Sequence, residues 1–244
     1  MSPQLENEPV QLGRLKGIRG VPTVYDHWSE KKNSRTCVFT VLELLGPNFR
    51  SLQSSIPFSN RSGGYSLEVF LASVGLRAME ILEAIQSRDI IHGDVSERNV
   101  VIGATNRAEL FLIDFGRARP FVDPATGRHN PPTNQAVDPR LSWELLSVFE
   151  LRGLAPSRRD DVFRLSEVLV ALCAGDEALW IGSGEDGRPT AAEALAKKER
   201  RDVRFLPTPF RDFYSYTLRL GYEDRPDYET FIGRFAAFAN PVDS

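Results

Sequence analysis

Cysteine is scarce in this chain: only Cys37 and Cys173 occur among 244 residues. With no paired spacing and no histidine at ligand distance in sequence, they exclude a disulfide framework or a structural zinc and suit a reducing compartment with two buried thiols. Charge of one sign is also lacking, since 30 Lys plus Arg face 33 Asp plus Glu for a formal net charge of −3. No broad positive field exists to draw the chain to nucleic acid or an anionic membrane. Long apolar runs are missing as well. The greasiest segments, Cys37 to Leu45 and Phe163 to Cys173, are broken by Glu43, Arg164 and Glu167, so neither reads as a bilayer span. The first residues, Met1 to Pro9, are polar and acidic, without the basic start and apolar core of a secretory signal. What remains is a chain with 41% apolar residues, enough to build a real core. The expectation is an intracellular protein, cytoplasmic or nuclear, with no nucleic-acid or membrane partner.

Periodicity orders the chain. Asn7 followed by Pro9 resembles a helix start, with Leu12 and Leu15 as a short apolar stripe. Val21 to His27 and Thr36 to Leu42 are rich in β-branched and aromatic residues and predict two antiparallel strands, with Ser29 to Ser34 as their loop. Leu67, Phe70, Leu71, Val74, Ala78, Ile81, Leu82 and Ile85 recur at helical spacing and predict one long helix ending near Ser87. Asn99 to Ile102 and Leu110 to Ile113 read as a hairpin. Pro120 to Pro139 has no period and reads as a long loop. Helices are expected at about 160–173, at 191–201 behind a Thr190/Glu193 capping box, and at about 209–220 and 228–237.

Chemistry collects at the mouths of the predicted hairpin. His92-Gly93-Asp94 precedes its first strand, Asn99 opens that strand, and Asp114-Phe115-Gly116 ends its partner. Phosphoryl transfer needs a carboxylate beside the attacking hydroxyl and oxygen ligands for a magnesium ion on the ATP phosphates. Asp94 fits the base, and Asn99 and Asp114 fit the metal ligands.

With these motifs the chain resembles protein kinases, and further segments resemble the casein kinase 1 branch. Leu42-Glu43-Leu44-Leu45-Gly46-Pro47 is similar to that family's hinge, which implies Leu42 as gatekeeper, backbone contacts to adenine at Glu43 and Leu45, and Val101 beneath the ring. Ser157-Arg158-Arg159-Asp160-Asp161-Val162 resembles the opening of its buried central helix, where Asp161 would brace the catalytic loop. Pro207 to Tyr228, ending Arg225-Pro226-Asp227-Tyr228, is similar to its last helices. The resemblance implies an α+β, protein-kinase-like fold: a mostly helical C-lobe at 46–244, under a truncated N-lobe and hinge at 1–45 made of two strands and a short helix.

Departures from the family pattern shape the expected function. Glu8 falls on the helix glutamate that pairs with the phosphate-binding lysine, and the seven residues before it leave no room for that lysine or a glycine-rich loop. Lys16, Lys31 and Lys32 read as solvated charges. Leu12 would stack over Phe115 and His92. Gly93 replaces an arginine that clamps a phosphorylated activation loop, so no switching of that kind is expected. Ser96 stands where serine/threonine kinases carry a lysine, and Arg98 stands where tyrosine kinases place an arginine on the transferring phosphate; Arg98 reads either as its substitute or as an exposed charge. Lys197, Lys198, Arg200, Arg201 and Arg204 read either as a dock for an acidic substrate or as a solvated face. Trp143, Trp180 and the Phe210 to Tyr216 aromatics read as core, and His27 and His129 have no visible partners.

The primary expectation is phosphate transfer from ATP with Mg2+ to protein Ser/Thr, weakened or lost if the upper lobe is incomplete. The alternative is an inactive pseudokinase scaffold binding a protein partner, for instance through a partner strand at the exposed sheet edge. A third reading, a small-molecule phosphotransferase, is suggested by His92-Gly93-Asp94 and opposed by the Ser157 to Val162 string.

Overall fold

The structure, a computed structural model, describes residues 3–32, 35–53, 67–135, 143–174 and 190–240. Its first helix, α1, is Pro3–Arg14 and begins before the expected Asn7 cap, with Pro9 inside it. Asn7 is not a cap. Its side-chain amide donates instead to the carbonyls of Gly116 and Ala118 at 3.1 and 2.7 Å, so tertiary contacts hold the helix through a residue of poor helix propensity.

Strands β1 (Val24–Lys32) and β2 (Arg35–Leu42) form an antiparallel ribbon. Ser29 to Lys32, expected as loop, stay in the strand because they find partners along β2, from Ser29 opposite Val38 to Lys32 opposite Arg35. On one face Val24 and Leu42 pack against the core. The other carries Trp28 stacked on Phe39 with centroids 5.1 Å apart, and it is open to solvent. Cys37 lies on that same face, opposite Glu30, and is therefore half-buried rather than buried; Cys173, in the last turn of its helix, is half-buried too.

A short strand β3 (Leu45–Asn48), which periodicity missed, leads into α2 (Phe49–Gln53) and the long α3 (Leu67–Gln86). Leu71, Ala78, Met79, Leu82 and Ile85 of α3 are fully buried, the Leu, Ile and Met side chains each stabilising the fold by roughly 1.5–3 kcal/mol. Strand β4 (Ile90–Ile91) precedes the predicted hairpin of β5 (Val100–Gly103) and β6 (Leu110–Leu112), and β3 joins that hairpin on the β5 side. A 3-10 turn at Phe115–Arg117 follows, and β7 (Arg119–Pro120) returns to pair with β4.

The elements described after β7 that build the lobe are helices: α4 (Val148–Leu151), α5 (Arg158–Ala174), α6 (Ala191–Glu199), α7 (Thr208–Thr217) and α8 (Tyr228–Ala239). The Thr190/Glu193 capping box is present, and a second one, Ser147/Glu150, starts α4. Helix α8 crosses α3 at Gly75, where an added Cβ would lie 2.9 Å from the Phe235 ring. Phe210, Phe213, Phe231 and Phe235 stack there as core. Trp143 packs against a smaller cluster of Leu146, Leu151 and Ala194, and Trp180 lies outside the described residues.

Candidate active site

Helix α5 is buried along almost its whole length, so its charges need partners inside the protein. Asp161 finds them in the loop that carries His92 and Gly93. Its Oδ2 accepts from the backbone N–H of His92 at 2.8 Å and from Gln86 Nε2 at 3.1 Å, and its Oδ1 accepts from the N–H of Gly93 at 2.9 Å. Tyr228 donates its hydroxyl to Gln86, so the Pro226-Asp227-Tyr228 segment supports the same brace from the far end of the chain. Gly93 is required here, because it sits at φ +76° and an added Cβ would stand 2.7 Å from the carbonyl oxygen of Arg117.

His92 then ties the two chemical motifs together. It is fully buried, and burial lowers its pKa. Its Nδ1 accepts from the N–H of Asp94 at 3.2 Å while its Nε2 donates to the carbonyl of Ile113 at 3.2 Å, the pattern of a neutral ring protonated on Nε2. Asn99 donates through Nδ2 to the carbonyl of Asp94 at 2.8 Å and accepts at its own carbonyl from the N–H of Ile113 at 2.9 Å. Asp114 is exposed, holds a left-handed φ of 63°, and accepts on Oδ1 from the N–H of Gly116 at 3.2 Å. Asp94, Asn99 and Asp114 are thus brought to one hairpin mouth, as expected.

The donor set suits magnesium. With Nδ2 of Asn99 committed to Asp94, its Oδ1 is left for a cation, alongside the second oxygen of Asp114. Among the described residues no group of three or more His, Cys, Asp or Glu could hold a metal alone. Two hard oxygen donors sharing a cation with phosphate oxygens is the usual magnesium arrangement in phosphotransferases.

Helix α1 closes on this mouth. Glu8 accepts on Oε1 from the N–H of Phe115 at 3.2 Å, and burial followed by the charge of Asp114 pushes its carboxyl above the usual range. Leu12 and Phe115 share the main core, and the rings of His92 and Phe115 lie 4.6 Å apart. At the hinge, the N–H of Glu43 donates to the carbonyl of Thr23 at 3.0 Å and its carboxylate accepts from the N–H of Thr23 at 2.7 Å. Leu45 opens β3 opposite Gly103, Val101 is buried opposite Asn48 and Phe111, and Arg98 is exposed.

Sequence reasoning missed a charged group behind Asp94. Arg117 and Arg164 approach Asp94 Oδ1 at 3.7 and 3.9 Å, and Glu150 bridges both guanidiniums at 3.3 and 2.5 Å. The signal was present, since Arg164 interrupts an otherwise apolar run in α5. The basic cluster at α6 is corrected in the opposite sense. Lys198 is buried on Glu167 at 2.8 Å, Arg201 pairs with Glu167 at 3.3 Å, and Arg204 pairs with Asp202, so the cluster is not a uniform solvated face. His27 and His129 also have partners, Thr40 Oγ1 at 3.1 Å and the carbonyl of Asn130 at 2.7 Å.

A small layer of α1, β1 and β2 stands over a helical lobe, and a braced His-Gly-Asp loop faces an Asp-Phe-Gly turn; this is a kinase-like fold. The chain is related to the casein kinase 1 proteins. It is 26% identical over 227 residues to casein kinase 1-like protein HD16 of Oryza sativa subsp. japonica, covering 91% of this chain and 30% of that protein. It is 27% identical over 238 residues to casein kinase I homolog RAG8 of Kluyveromyces lactis, covering 94% and 42%. To casein kinase I homolog 3 of Schizosaccharomyces pombe it is 26% identical, covering 93% and 51%. The chain therefore spans between 30% and 51% of the length of these curated relatives. No protein-family model matches it. Among the described residues no helix is long and apolar enough to cross a membrane.

Proposed function

We propose that this chain is a casein kinase 1-like phosphotransferase that moves the terminal phosphoryl group of ATP to a serine or threonine hydroxyl of a protein. The observation that carries this reading is that Asp94 and Ile113 are joined twice, once through the His92 ring and once through Asn99, which seats both motifs beside one another on backbone. Asp94 accepts the proton of the attacking hydroxyl. Asn99 and Asp114 would hold magnesium, which would supply neutralisation of the phosphate charge. The backbone of Glu43 and Leu45 would contact the adenine, with the buried Val101 as an apolar floor beneath it. Arg98, exposed beside the loop, would bring its charge toward the transferring phosphate.

A second reading is a kinase-fold protein that binds a protein partner strand without transferring phosphate. It is favoured by the solvent-facing Trp28, Phe39 and Val41, which are 42%, 37% and 42% exposed on the β1–β2 ribbon. A thermal-shift titration with magnesium-ATP separates the two, because ligand binding to the folded state raises its melting temperature. The phosphotransferase reading expects a magnesium-dependent rise that Asp114→Ala removes, together with transfer of labelled phosphate to dephosphorylated casein. A folded sample that shows no shift at millimolar ATP sinks it and leaves the binding protein.

A further inference from the structure

Arg164 is the one residue of α5 whose guanidinium reaches across the catalytic loop. Its side chain is 3% exposed, and it lies a turn beyond Asp161 in a helix otherwise filled at that level by Phe163 and Leu165. Burying a guanidinium is costly, and an apolar residue of similar volume would serve packing as well or better. The charge is directed at specific groups. Nη1 donates to the carbonyl of Gly93 and stands 3.9 Å from Asp94 Oδ1, while Nη2 donates to Glu150 Oε2 at 2.5 Å. Glu150 is itself fixed by its capping box, with Oε2 accepting from the N–H of Ser147 at 2.9 Å, and its Oε1 holds Arg117 at 3.3 Å. Arg117 closes the ring at 3.7 Å from Asp94 Oδ1.

That oxygen is buried and has no hydrogen-bond partner among the described residues. A buried carboxylate oxygen without a donor is costly, and the guanidinium charges 3.7 and 3.9 Å away offset that cost only while the oxygen points at them. The left-handed backbone at Gly93 and the Arg117 carbonyl leave no space for a side chain at residue 93, so the holding charge cannot come from that position.

We infer that Arg164 is a positioning residue for Asp94: acting with Glu150 and Arg117, it aims the Asp94 carboxylate from inside the core. The holding charge is built into α5 and needs no modified side chain to complete it. This rests on the phosphotransferase reading of Asp94.

The test compares the whole chain with two variants, using magnesium-ATP and dephosphorylated casein as probes. Arg164→Met/Glu150→Gln removes the buried pair together and leaves Arg117 facing Asp94 at 3.7 Å, and Arg164→Lys keeps the charge but loses the fork that spans Gly93 and Glu150. The double variant is expected to melt cooperatively and to keep its KM for magnesium-ATP within about twofold while kcat falls about 100-fold; Arg164→Lys should lose about tenfold in kcat at unchanged KM. A folded double variant with kcat within about threefold of the parent overturns the inference and leaves the phosphotransferase reading intact. Should the double variant fail to fold, an unchanged kcat in Arg164→Lys overturns it equally. A parent chain that neither binds magnesium-ATP nor labels casein removes the phosphotransferase reading, and the role of Arg164 with it.

Discussion

Helices α3 and α5 both run through the core, yet they are built on opposite principles. Helix α3 buries an apolar stripe, and its buried polar residue is Gln86 at the C-terminal end. Helix α5 buries Arg159, Asp160, Asp161, Arg164 and Ser166 among its apolar residues. The difference separates two tasks. An apolar helix sets where the lobe sits, because burial is non-directional. A helix carrying buried charges also sets where a loop sits, because each charge must meet particular donors or acceptors at hydrogen-bond distance.

The largest effect expected from this contrast is at Asp161. Asp161→Ala strands the buried N–H groups of His92 and Gly93, which should cost roughly 3–5 kcal/mol in chemical denaturation. Any folded fraction should also lose the magnesium-ATP thermal shift, because the loop bearing Asp94 and Asn99 loses its anchor. A variant that is destabilised but keeps full nucleotide response would mean that α5 supports the lobe only, as α3 does.

A smaller effect concerns pH. Asp160, fully buried beside Asp161, accepts from Ser147 Oγ and from the N–H of Ser157 at 2.7 Å. Burial first, and then the neighbouring Glu150 carboxylate, push its carboxyl up to about 7. The folded chain therefore binds a proton at Asp160 that the unfolded chain releases near pH 4, so this residue's stabilisation is present at acid pH and is lost as pH rises toward 7. His92 works in the other direction: burial keeps it neutral, so its share of stability is lost as pH falls below the ordinary histidine range. The useful measurement is thus the stability of the parent minus that of Asp160→Asn. That difference should decline by on the order of 2 kcal/mol between pH 4.5 and 7.5. A flat difference would show that Asp160 is ionised throughout.

The same contrast explains what could be read from sequence. Helix α3 was legible end to end, since its apolar period is a local property of the chain. The hairpin of β5 and β6 was legible for the same reason, and the spacing of His92-Gly93-Asp94, Asn99 and Asp114-Phe115-Gly116 placed those residues at its mouth, where they lie in the structure. The Asn7 role was misread because its partners, Gly116 and Ala118, lie more than a hundred residues away. Arg117, Glu150 and Arg164 went unrecognised because each looks like an ordinary charge until the fold brings three separate segments behind Asp94. Lys198 was grouped with exposed lysines for the same reason: its partner Glu167 is on another helix. Periodicity reports burial, whereas the pairing of buried charges is set by tertiary contact.

The smallest effect belongs to α3, and it decides between two opposed terms. Gly75→Ala should gain roughly 1 kcal/mol from helix propensity at an interior position. Against this, the new methyl carbon would stand 2.9 Å from two atoms of the Phe235 ring, itself fully buried and hemmed in by Phe210 and Phe213. Overpacking of that kind costs about 1–3 kcal/mol, so the net expectation is a loss of about 1 kcal/mol by urea denaturation, with magnesium-ATP affinity unchanged. A gain of stability would show that α8 can back away from α3, and that this crossing is looser than the charged one around α5. A loss accompanied by weaker nucleotide binding would break the contrast itself, since it would make the apolar helix a determinant of the site.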